Sequence, residues 1–361
     1  MLTLVLLVVS LAIILAAAEL FTNAVEWSGR KLSLNEGVVG SVLAAVGTAM
    51  PETLIPIVAI LFVGGSHGQE VGLGAILGAP FMLATLAMFV TGLAVVIFAR
   101  RGRRTTELQV NSRILARDIR FFLIAYLIAI AAAFVESFPV KVVLAVAEVG
   151  IYVFYVYKHA TDVEEPPADI EGMSPLEVLE ALRNRKEAHE LARLHFHRSA
   201  TDPSLAVVIG QLVVSLVIML GGSYLFVEAV NTVAAVLGVP ALILSLLIAP
   251  VATELPEKFN SVLWVRNSKD TLALGNLTGA MVFQSAIPAA FGMLFSDWAV
   301  TPETTTAFVS AGIAIVAAAM IFGTLALGGG RKLTAKALLS GGLFYLAYIG
   351  YVFIAQPAAS H

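Results

Sequence analysis

The 361-residue chain contains no cysteine. That absence excludes disulfides, thiol redox chemistry, cysteine-ligated zinc and iron–sulfur clusters, and it says nothing about compartment. Charge is scarce as well: 13% of residues are Asp, Glu, Lys or Arg, against about a quarter in an ordinary soluble domain. Catalytic signatures are missing too. No HExxH and no paired catalytic Asp motif occurs, so an intramembrane enzyme has little support and the expectation is a non-enzyme.

What remains is apolar. Hydrophobic residues make up 59% of the chain, and stretches of the ~20 residues needed to cross hydrocarbon recur from end to end. Ten such stretches run over roughly 2–27, 37–63, 71–99, 119–135, 139–157, 204–232, 240–264, 271–296, 304–327 and 337–355. The pattern is that of helices rather than an alternating β-barrel, so the fold class expected is an all-α polytopic membrane protein. The first stretch has no basic residue before it and no small-residue cleavage site after it, and reads as a retained helix rather than a signal peptide.

The few basic residues are strongly ordered. Arg30 and Lys31 follow the first stretch, and seven Arg, at 100, 101, 103, 104, 113, 117 and 120, lie around the third loop. Six more basic residues occupy 158–203, Arg266 and Lys269 follow the seventh stretch, and Arg331, Lys332 and Lys336 follow the ninth. All of these fall in alternate loops, while the opposite loops hold only Lys141 and a span holds Lys258. The positive-inside rule then puts the basic loops in the cytoplasm and both termini outside, in a plasma (inner) membrane.

Residues 158–203 form the only long polar segment and divide the stretches five and five. The organisation expected is a first five-helix unit over 1–157, a cytoplasmic linker over 158–203 and a second five-helix unit over 204–361. Within the linker, Ser174-Pro175-Leu176-Glu177 has the form of a helix start, and Leu176, Leu179, Leu182, Leu191 and Leu194 suggest an amphipathic helix. His189, His195 and His197 cluster there, but HELARLHFH is not HExxH and a solvated linker accounts for it.

The two halves repeat each other. With an offset of 205, ELFTNAVEW (19–27) lies over YLFVEAVNT (224–232), and AAVGTAMPET (44–53) lies over APVATELPEK (249–258). With an offset of 201, LGAILGAPF (73–81) lies over LGNLTGAMV (274–282), the difference falling in the loop GGSHGQE. Because each half has an odd number of spans, the second copy enters the membrane from the opposite side. The expectation is two inverted five-helix repeats, an arrangement typical of secondary transporters with a midplane substrate site.

The repeated stretches carry the chemistry. Thr48 and Glu52 are four residues apart, as are Thr253 and Glu257, so each pair shares one helix face. Pro51 and Pro256 precede the glutamates and Pro250 lies a turn earlier, so backbone carbonyls near Thr48 and Thr253 lose helical donors. Carboxylates with free carbonyls make a hard-oxygen site suited to Ca²⁺, Na⁺ or protons. An ionised carboxylate at the bilayer centre costs at least ~2.5 kcal/mol, and meeting that cost at two equivalent positions points to function. Gly74 and Gly78, like Gly275 and Gly279, permit close helix packing, and Asn276 on that face is a neutral ligand candidate. Asn23 and Glu26 match Glu228 and Asn231 with acid and amide exchanged, and either line access paths or tether moving helices. Glu19 and Glu148 are further intramembrane acids without repeated partners.

These motifs resemble the cation/calcium antiporter superfamily of the sodium/calcium exchanger type. LNEGVVGSVLAAVGTAMPE resembles its first signature repeat, and VPALILSLLIAPVATELPE with LALGNLTGAMVF resembles the second. The resemblance implies ten helices, Glu52 and Glu257 as central Ca²⁺ ligands, Thr48 and Thr253 as carbonyl donors, and alternating access by the first and sixth helices sliding over the rest. It implies no cofactor. The partners expected are the lipid bilayer and the transported cations, with no nucleic acid; a monomer is compatible and the oligomeric state stays open.

The sequence also departs from that family. Ala49 and Glu254 stand where Ser is usual, and Ala75, Ala79, Pro80 and Ala280 stand near the glycines where Asn, Ser or Asp are usual, so most side-chain sodium ligands are missing. Glu254 lies one turn before Glu257, and two carboxylates crowded in low dielectric favour one of them holding a proton. Lys258 partly compensates their charge, though it is placed at the wrong angle to share their face directly. The function expected is a secondary antiporter exchanging Ca²⁺ for Na⁺ or H⁺ at a site of Glu52, Glu257, Thr48, Thr253, Glu254 and Asn276. The alternatives are a proton-coupled antiporter for another cation, a non-exchanging ion-binding protein, or a channel.

Overall fold

The computed structural model describes residues 2–31, 49–161, 203–326 and 333–355. Thr48, most of the first signature stretch, and the linker with Ser174, His189, His195 and His197 lie outside the described residues. Among the described residues the chain is almost entirely helical. Two residues of extended backbone on each side, β1 (Glu107–Leu108) and β2 (Leu333–Thr334), form a short antiparallel pair.

The first half comprises α1 (Leu2–Lys31), α2 (Met50–Val58), α3 (Gly65–Met82), α4 (Met88–Arg100), α5 (Ser112–Ala132) and α6 (Phe138–Thr161). A π-helical turn, Ala59–Val63, extends α2, and a second, Leu83–Ala87, joins α3 to α4 into one run from Gly65 to Arg100. Pro80 lies just before that second turn; its missing N–H and ring bulk disturb the regular ladder there. Gly64 and Gly65 both have positive φ, 65° and 63°, which lets the chain reverse between α2 and α3 without a Cβ clash. Asn111 caps α5, its Oδ1 accepting from the backbone N–H of Arg113 at 3.1 Å and of Ile114 at 3.3 Å. The helix therefore starts at Ser112, ahead of the apolar stretch read from the sequence.

The second half comprises α7 (Leu205–Leu237), α8 (Ala241–Thr253), α9 (Leu255–Arg266), α10 (Asp270–Phe295), α11 (Thr305–Ala326) and α12 (Ala335–Ala355). At 1.5 Å per residue the 33 residues of α7 reach about 50 Å, which crosses a ~30 Å hydrocarbon core only with tilt or overhang. Ser204 caps its start and Gly238, in the left-handed region at φ 66°, ends it.

Among the described residues, seven helical segments are long and apolar enough to cross a membrane: Thr3–Gly29, Gly65–Arg100, Phe138–His159, Leu205–Leu237, Asp270–Phe295, Thr305–Leu325 and Ala335–Ala355. Shorter apolar helices cover Met50–Val63 and Ala241–Val251, and α5 carries Arg113, Arg117, Asp118 and Arg120 near its start. Large apolar side chains face outward on the peripheral helices, among them Val143, Val146 and Val153 on α6, Val213 and Val217 on α7, and Leu343, Leu346 and Phe353 on α12. Glu52, Glu148, Glu254 and Glu257, by contrast, lie inside. Apolar outside and ionisable inside is the distribution of an integral membrane protein.

Packing follows a consistent plan. α1 lies along α7, and Gln211 Nε2 ties them by donating to Leu20 O at 2.8 Å and to Asn23 Oδ1 at 3.2 Å. α3 packs on α8 and α11, α10 packs on α5 and α6, and α12 packs on α4. Small residues bring α3 and α8 together: a Cβ on Gly74 would stand 2.3 Å from Leu242 O, and one on Gly78 would stand 2.4 Å from Leu246 O. Leu246 O is also the carbonyl that Pro250 leaves without a helical donor. Gly275 meets nothing within 4 Å and Gly279 only Tyr155 Oη at 3.6 Å; residues 37 and 41, which the repeat sets opposite them, lie outside the described residues.

Hydrogen bonds from large buried aromatics fix the core around these contacts. Tyr126 Oη donates to Leu77 O at 3.1 Å, Trp298 Nε1 to Ala129 O at 2.9 Å and Tyr348 Oη to Thr306 O at 3.2 Å. On the face of the basic loops, Arg104 grips Asp270 with two bonds, Nη1 to Oδ1 at 2.6 Å and Nη2 to Oδ2 at 2.8 Å. Arg104 Nη1 also donates to Val265 O at 2.8 Å. The loop after α4 is thereby fastened to the α9–α10 turn, and β1–β2 fastens it to the start of α12.

Candidate functional site

The segment 240–264 that reads as one span is two helices. α8 stops at Thr253 and α9 begins at Leu255, with Glu254 between them at φ −83°, ψ 9°. That bridge-region conformation ends one helix and starts the next in a single residue, and Pro256 sits in the first turn of α9. In the first half, Ala49 precedes α2 at φ −85°, ψ 2°, with Pro51 in the first turn. Both breaks leave backbone polar groups that no continuous helix would leave, and both place a glutamate, Glu52 or Glu257, in the first turn of the following helix.

Glu52, Thr253, Glu254, Glu257 and Lys258 are all buried. Glu52 and Thr253 line a cavity of about 10 Å³ together with Ile55, Ala75, Ala79, Ala249 and Pro250, room for a single water-sized species. Thr253 Oγ1 donates to Ala249 O at 3.0 Å, and Thr53 in the other half makes the same local bond to Ala49 O at 2.9 Å. Neither oxygen of Glu52 has a hydrogen-bond donor, nor does Glu257 Oε2 or Glu254 Oε1. A buried acceptor without a donor is costly, and a cation or a proton is what satisfies a carboxylate.

The structure brings most of the expected residues together. Glu52, Glu254, Glu257 and Lys258 lie within range of one another's charge, and Thr253 lies beside Glu52. Asn276, half-buried on α10, donates Nδ2 to the backbone carbonyl of Glu257 at 3.4 Å and so holds the start of α9. Among the described residues no group of three or more His, Asp or Glu side chains stands as a preformed metal cage. Glu228 is exposed, as is Glu19, so neither joins this cluster, and the side chain of Glu26 lies outside the described residues.

Lys258 departs from expectation. Its Nζ lies 3.1 Å from Glu254 Oε2 and donates to Pro250 O at 3.3 Å. The spacing from Glu254 is i, i+4, which puts both side chains on one face; the wrong-angle reading holds only relative to Glu257. Sequence reasoning missed two further residues. Gln284, a lone carboxamide in an apolar run of α10, is buried near Glu254 with Oε1 unpartnered. Asp118 is buried at the start of α5, accepting from Thr278 Oγ1 at 2.8 Å and Tyr155 Oη at 3.3 Å, so it joins α5, α6 and α10. The signal for Gln284 was polarity inside an apolar run, the same signal that marks Glu148, which is buried with both oxygens unpartnered, whereas Asp118 stands among Arg113, Arg117 and Arg120 and gave no such signal.

Known proteins share this architecture. The structure is similar to that of the H⁺/Ca²⁺ exchanger CAX, with a TM-score of 0.63 and 17% identity over 99% of this chain and 87% of that one. It is also similar to the sodium-calcium exchanger NCX_Mj, with a TM-score of 0.55 and 17% identity over 97% of this chain and 98% of that one. In sequence the chain is 21% identical to the inner membrane protein YrbG of Escherichia coli over 82% of its own length and 81% of YrbG. It is 26% identical to the putative antiporter CaxA of Alkalimonas amylolytica over 40% of its own length, a match spanning 44% of that protein. Residues 2–158 and 207–356 match the sodium/calcium exchanger protein family, and with breaks at Ala49 and Glu254 that set buried glutamates in equivalent helix starts, the chain belongs to that family of membrane transporters within the cation/calcium antiporter superfamily.

Proposed function

We propose that this protein is a secondary active antiporter that exchanges Ca²⁺ for Na⁺ or H⁺ by alternating access. The observation that carries this reading is the set of buried carboxylate oxygens without donors, both of Glu52 and Oε2 of Glu257, set at two equivalent helix breaks. Hard oxygen donors of this kind suit Ca²⁺. In this reading Glu52 and Glu257 are the central ligands, and Glu254 adds negative charge beside them. Thr48 and Thr253 contribute backbone carbonyls, and Asn276 holds the α9 start against α10. Because the carboxylates interact without forming a ready cage among the described residues, loading the ion draws the two helix starts together, which is the event that occludes it.

The same reading makes all ten apolar stretches spans and the halves 1–157 and 204–361 inverted repeats around the 158–203 linker. The paired α1 and α7, tied by Gln211, are then the elements that slide against the remaining helices. The latch of Arg104 on Asp270 keeps those helices together at the cytoplasmic face, with both termini on the outside. The chain needs no cofactor and works in the bilayer.

The test is Ca²⁺ flux in liposomes holding the purified protein, first under an imposed Na⁺ gradient and then under an imposed pH gradient. Flux that follows one gradient and is lost in Glu52→Gln and in Glu257→Gln supports the reading and identifies the coupling ion. Flux retained in both variants removes the site, and single-channel currents in place of gradient-coupled flux remove the antiport mechanism.

A further inference from the structure

The two halves differ in charge at two pairs of equivalent positions in the site. Ala49 and Thr53 in the first half correspond to Glu254 and Lys258 in the second, at the offset of 205 that relates Glu52 to Glu257. In the first half a hydroxyl closes locally on the helix, Thr53 Oγ1 to Ala49 O. In the second half a carboxylate and an ammonium appear together and meet, Lys258 Nζ lying 3.1 Å from Glu254 Oε2 and 3.3 Å from Pro250 O. Side-chain exposure is 9% for Lys258 and 0% for Glu254, so water does not solvate this pair.

The position of the ammonium is that of a ligated cation. Its two oxygen neighbours are a carboxylate and a backbone carbonyl, the ligand types that hold hard monovalent cations in a membrane. Pro250 also lines the small cavity that Glu52 and Thr253 border, and the Lys258 charge acts on Glu52, Glu254 and Glu257 alike. Glu52, Glu254 and Glu257 bring three negative charges when ionised and Lys258 brings one positive charge, which leaves two negative charges for the transported ion.

We propose that the Lys258 ammonium is a built-in monovalent cation that occupies the place between the Glu254 carboxylate and the Pro250 carbonyl, so that an alkali cation enters there only when the ammonium is removed. The consequence is specificity: one monovalent position is closed permanently, and the remaining charge matches a single divalent cation. A tethered cation competes at high effective concentration and is never exported, so it takes no part in the transported stoichiometry. The inference rests on the exchange site proposed above, and only its charge-matching consequence depends on that site carrying Ca²⁺.

The experiment counts bound ions on full-length protein in detergent, using ²²Na⁺ in choline chloride buffer and ⁴⁵Ca²⁺ in parallel. Lys258→Met is expected to bind one more Na⁺ per chain than the unmodified protein, Lys258→Arg the same number, and Glu254→Gln/Lys258→Met the same number. Lys258→Met that is stable only with NaCl and not with choline chloride supports the proposal as well. Equal Na⁺ counts in Lys258→Met and the unmodified protein overturn it. So does failure of Lys258→Met to fold in either salt, since a free cation then does not replace the ammonium. If the unmodified protein binds no ⁴⁵Ca²⁺, the calcium reading of the site fails while the ²²Na⁺ comparison still decides the role of Lys258.

Discussion

Ala49 and Glu254, equivalent positions in the two halves, share one backbone conformation: φ −85°, ψ 2° at Ala49 and φ −83°, ψ 9° at Glu254. Their side chains could hardly differ more, so the shared geometry comes from the prolines that lie next along the chain. Each is two residues before a proline, Pro51 or Pro256, whose ring clashes with the preceding turn and whose nitrogen has no proton to donate. Each break then carries a glutamate into the first turn of the next helix, where the helix dipole favours negative charge. A proline-to-alanine change at these places is expected to heal the break. Pro256→Ala should raise thermal stability in detergent or leave it unchanged while Ca²⁺ flux falls at least about tenfold, and liposome flux beside a melting curve checks both.

Neutralising the glutamates separates binding from folding. The ionised carboxylate is the costly state in the membrane, by ~2.5 kcal/mol or more, so Glu52→Gln and Glu257→Gln keep the shape and remove that cost. Each is expected to match or exceed the unmodified protein in melting temperature without Ca²⁺. The rise in melting temperature that Ca²⁺ gives by mass action should disappear in both.

Much of this site was legible in the sequence because its parts are rare where they stand. A carboxylate and a proline inside an apolar run each need a reason, and Thr-x-x-Pro-Glu supplies both at Glu52 and again at Glu257. The alternation of basic loops is legible for the same reason, since scarce charge makes its placement informative. What the sequence hid was distance. Arg104 meets Asp270 and Asp118 meets Thr278 across more than 150 residues, and nothing local to either member announces its partner. Lys258 was within reach of local reasoning through its i, i+4 spacing from Glu254. The neighbouring Glu257 drew attention to the other face.

Close packing of α3 on α8 leaves no room for a Cβ on Gly74 or Gly78 of α3. Gly78→Ala puts a methyl group 2.4 Å from Leu246 O and Gly74→Ala puts one 2.3 Å from Leu242 O, both backbone atoms that cannot swing aside. Each change is expected to cost about 1–3 kcal/mol by overpacking and to reduce flux, because the cavity beside Glu52 lies on the same contact. Gly210→Ala and Gly221→Ala on α7 meet nothing within 4 Å and should be neutral or stabilising by up to about 1 kcal/mol. Melting curves of the four variants distinguish the two classes.

The latch of Arg104 on Asp270 is fully enclosed, with side-chain exposures of 3% and 1%, and it is bidentate. Asp270 also accepts from the backbone N–H of Gln109 at 2.8 Å. Removing one partner of such a pair strands the other, at a cost of about 3–5 kcal/mol, so Arg104→Ala and Asp270→Ala should both lower the melting temperature strongly. Arg104→Lys should recover little, because an ammonium lacks the planar fork that meets both oxygens. The loss should be insensitive to salt between about 0.05 and 0.5 M, since screening acts mainly on exposed pairs. A melting temperature of Arg104→Ala within a degree or two of the unmodified protein would show that the loops hold without the pair.

The strongest coupling expected in the molecule is between Glu254 and Lys258, because their equivalents Ala49 and Thr53 show what the site looks like without either charge. Glu254→Ala leaves the buried ammonium of Lys258 with Pro250 O at 3.3 Å as its hydrogen-bond acceptor, and Lys258→Thr, measured in choline chloride, leaves the Glu254 carboxylate without the cation beside it. Each single change therefore exposes an uncompensated charge to low dielectric and is expected to cost about 3 kcal/mol or more. The double change Glu254→Ala/Lys258→Thr copies the first half, where the Thr53 hydroxyl closes on Ala49 O at 2.9 Å, and neither charge of the pair is left without the other. Its expected cost is under about 1.5 kcal/mol, the range of a volume change partly absorbed by repacking, which makes the coupling energy of the pair several kcal/mol. Thermal or denaturant unfolding of the four proteins closes the cycle. Additive losses would mean that the two side chains are each held by something other than one another, and the symmetry between the halves would then carry no information about why the pair is there.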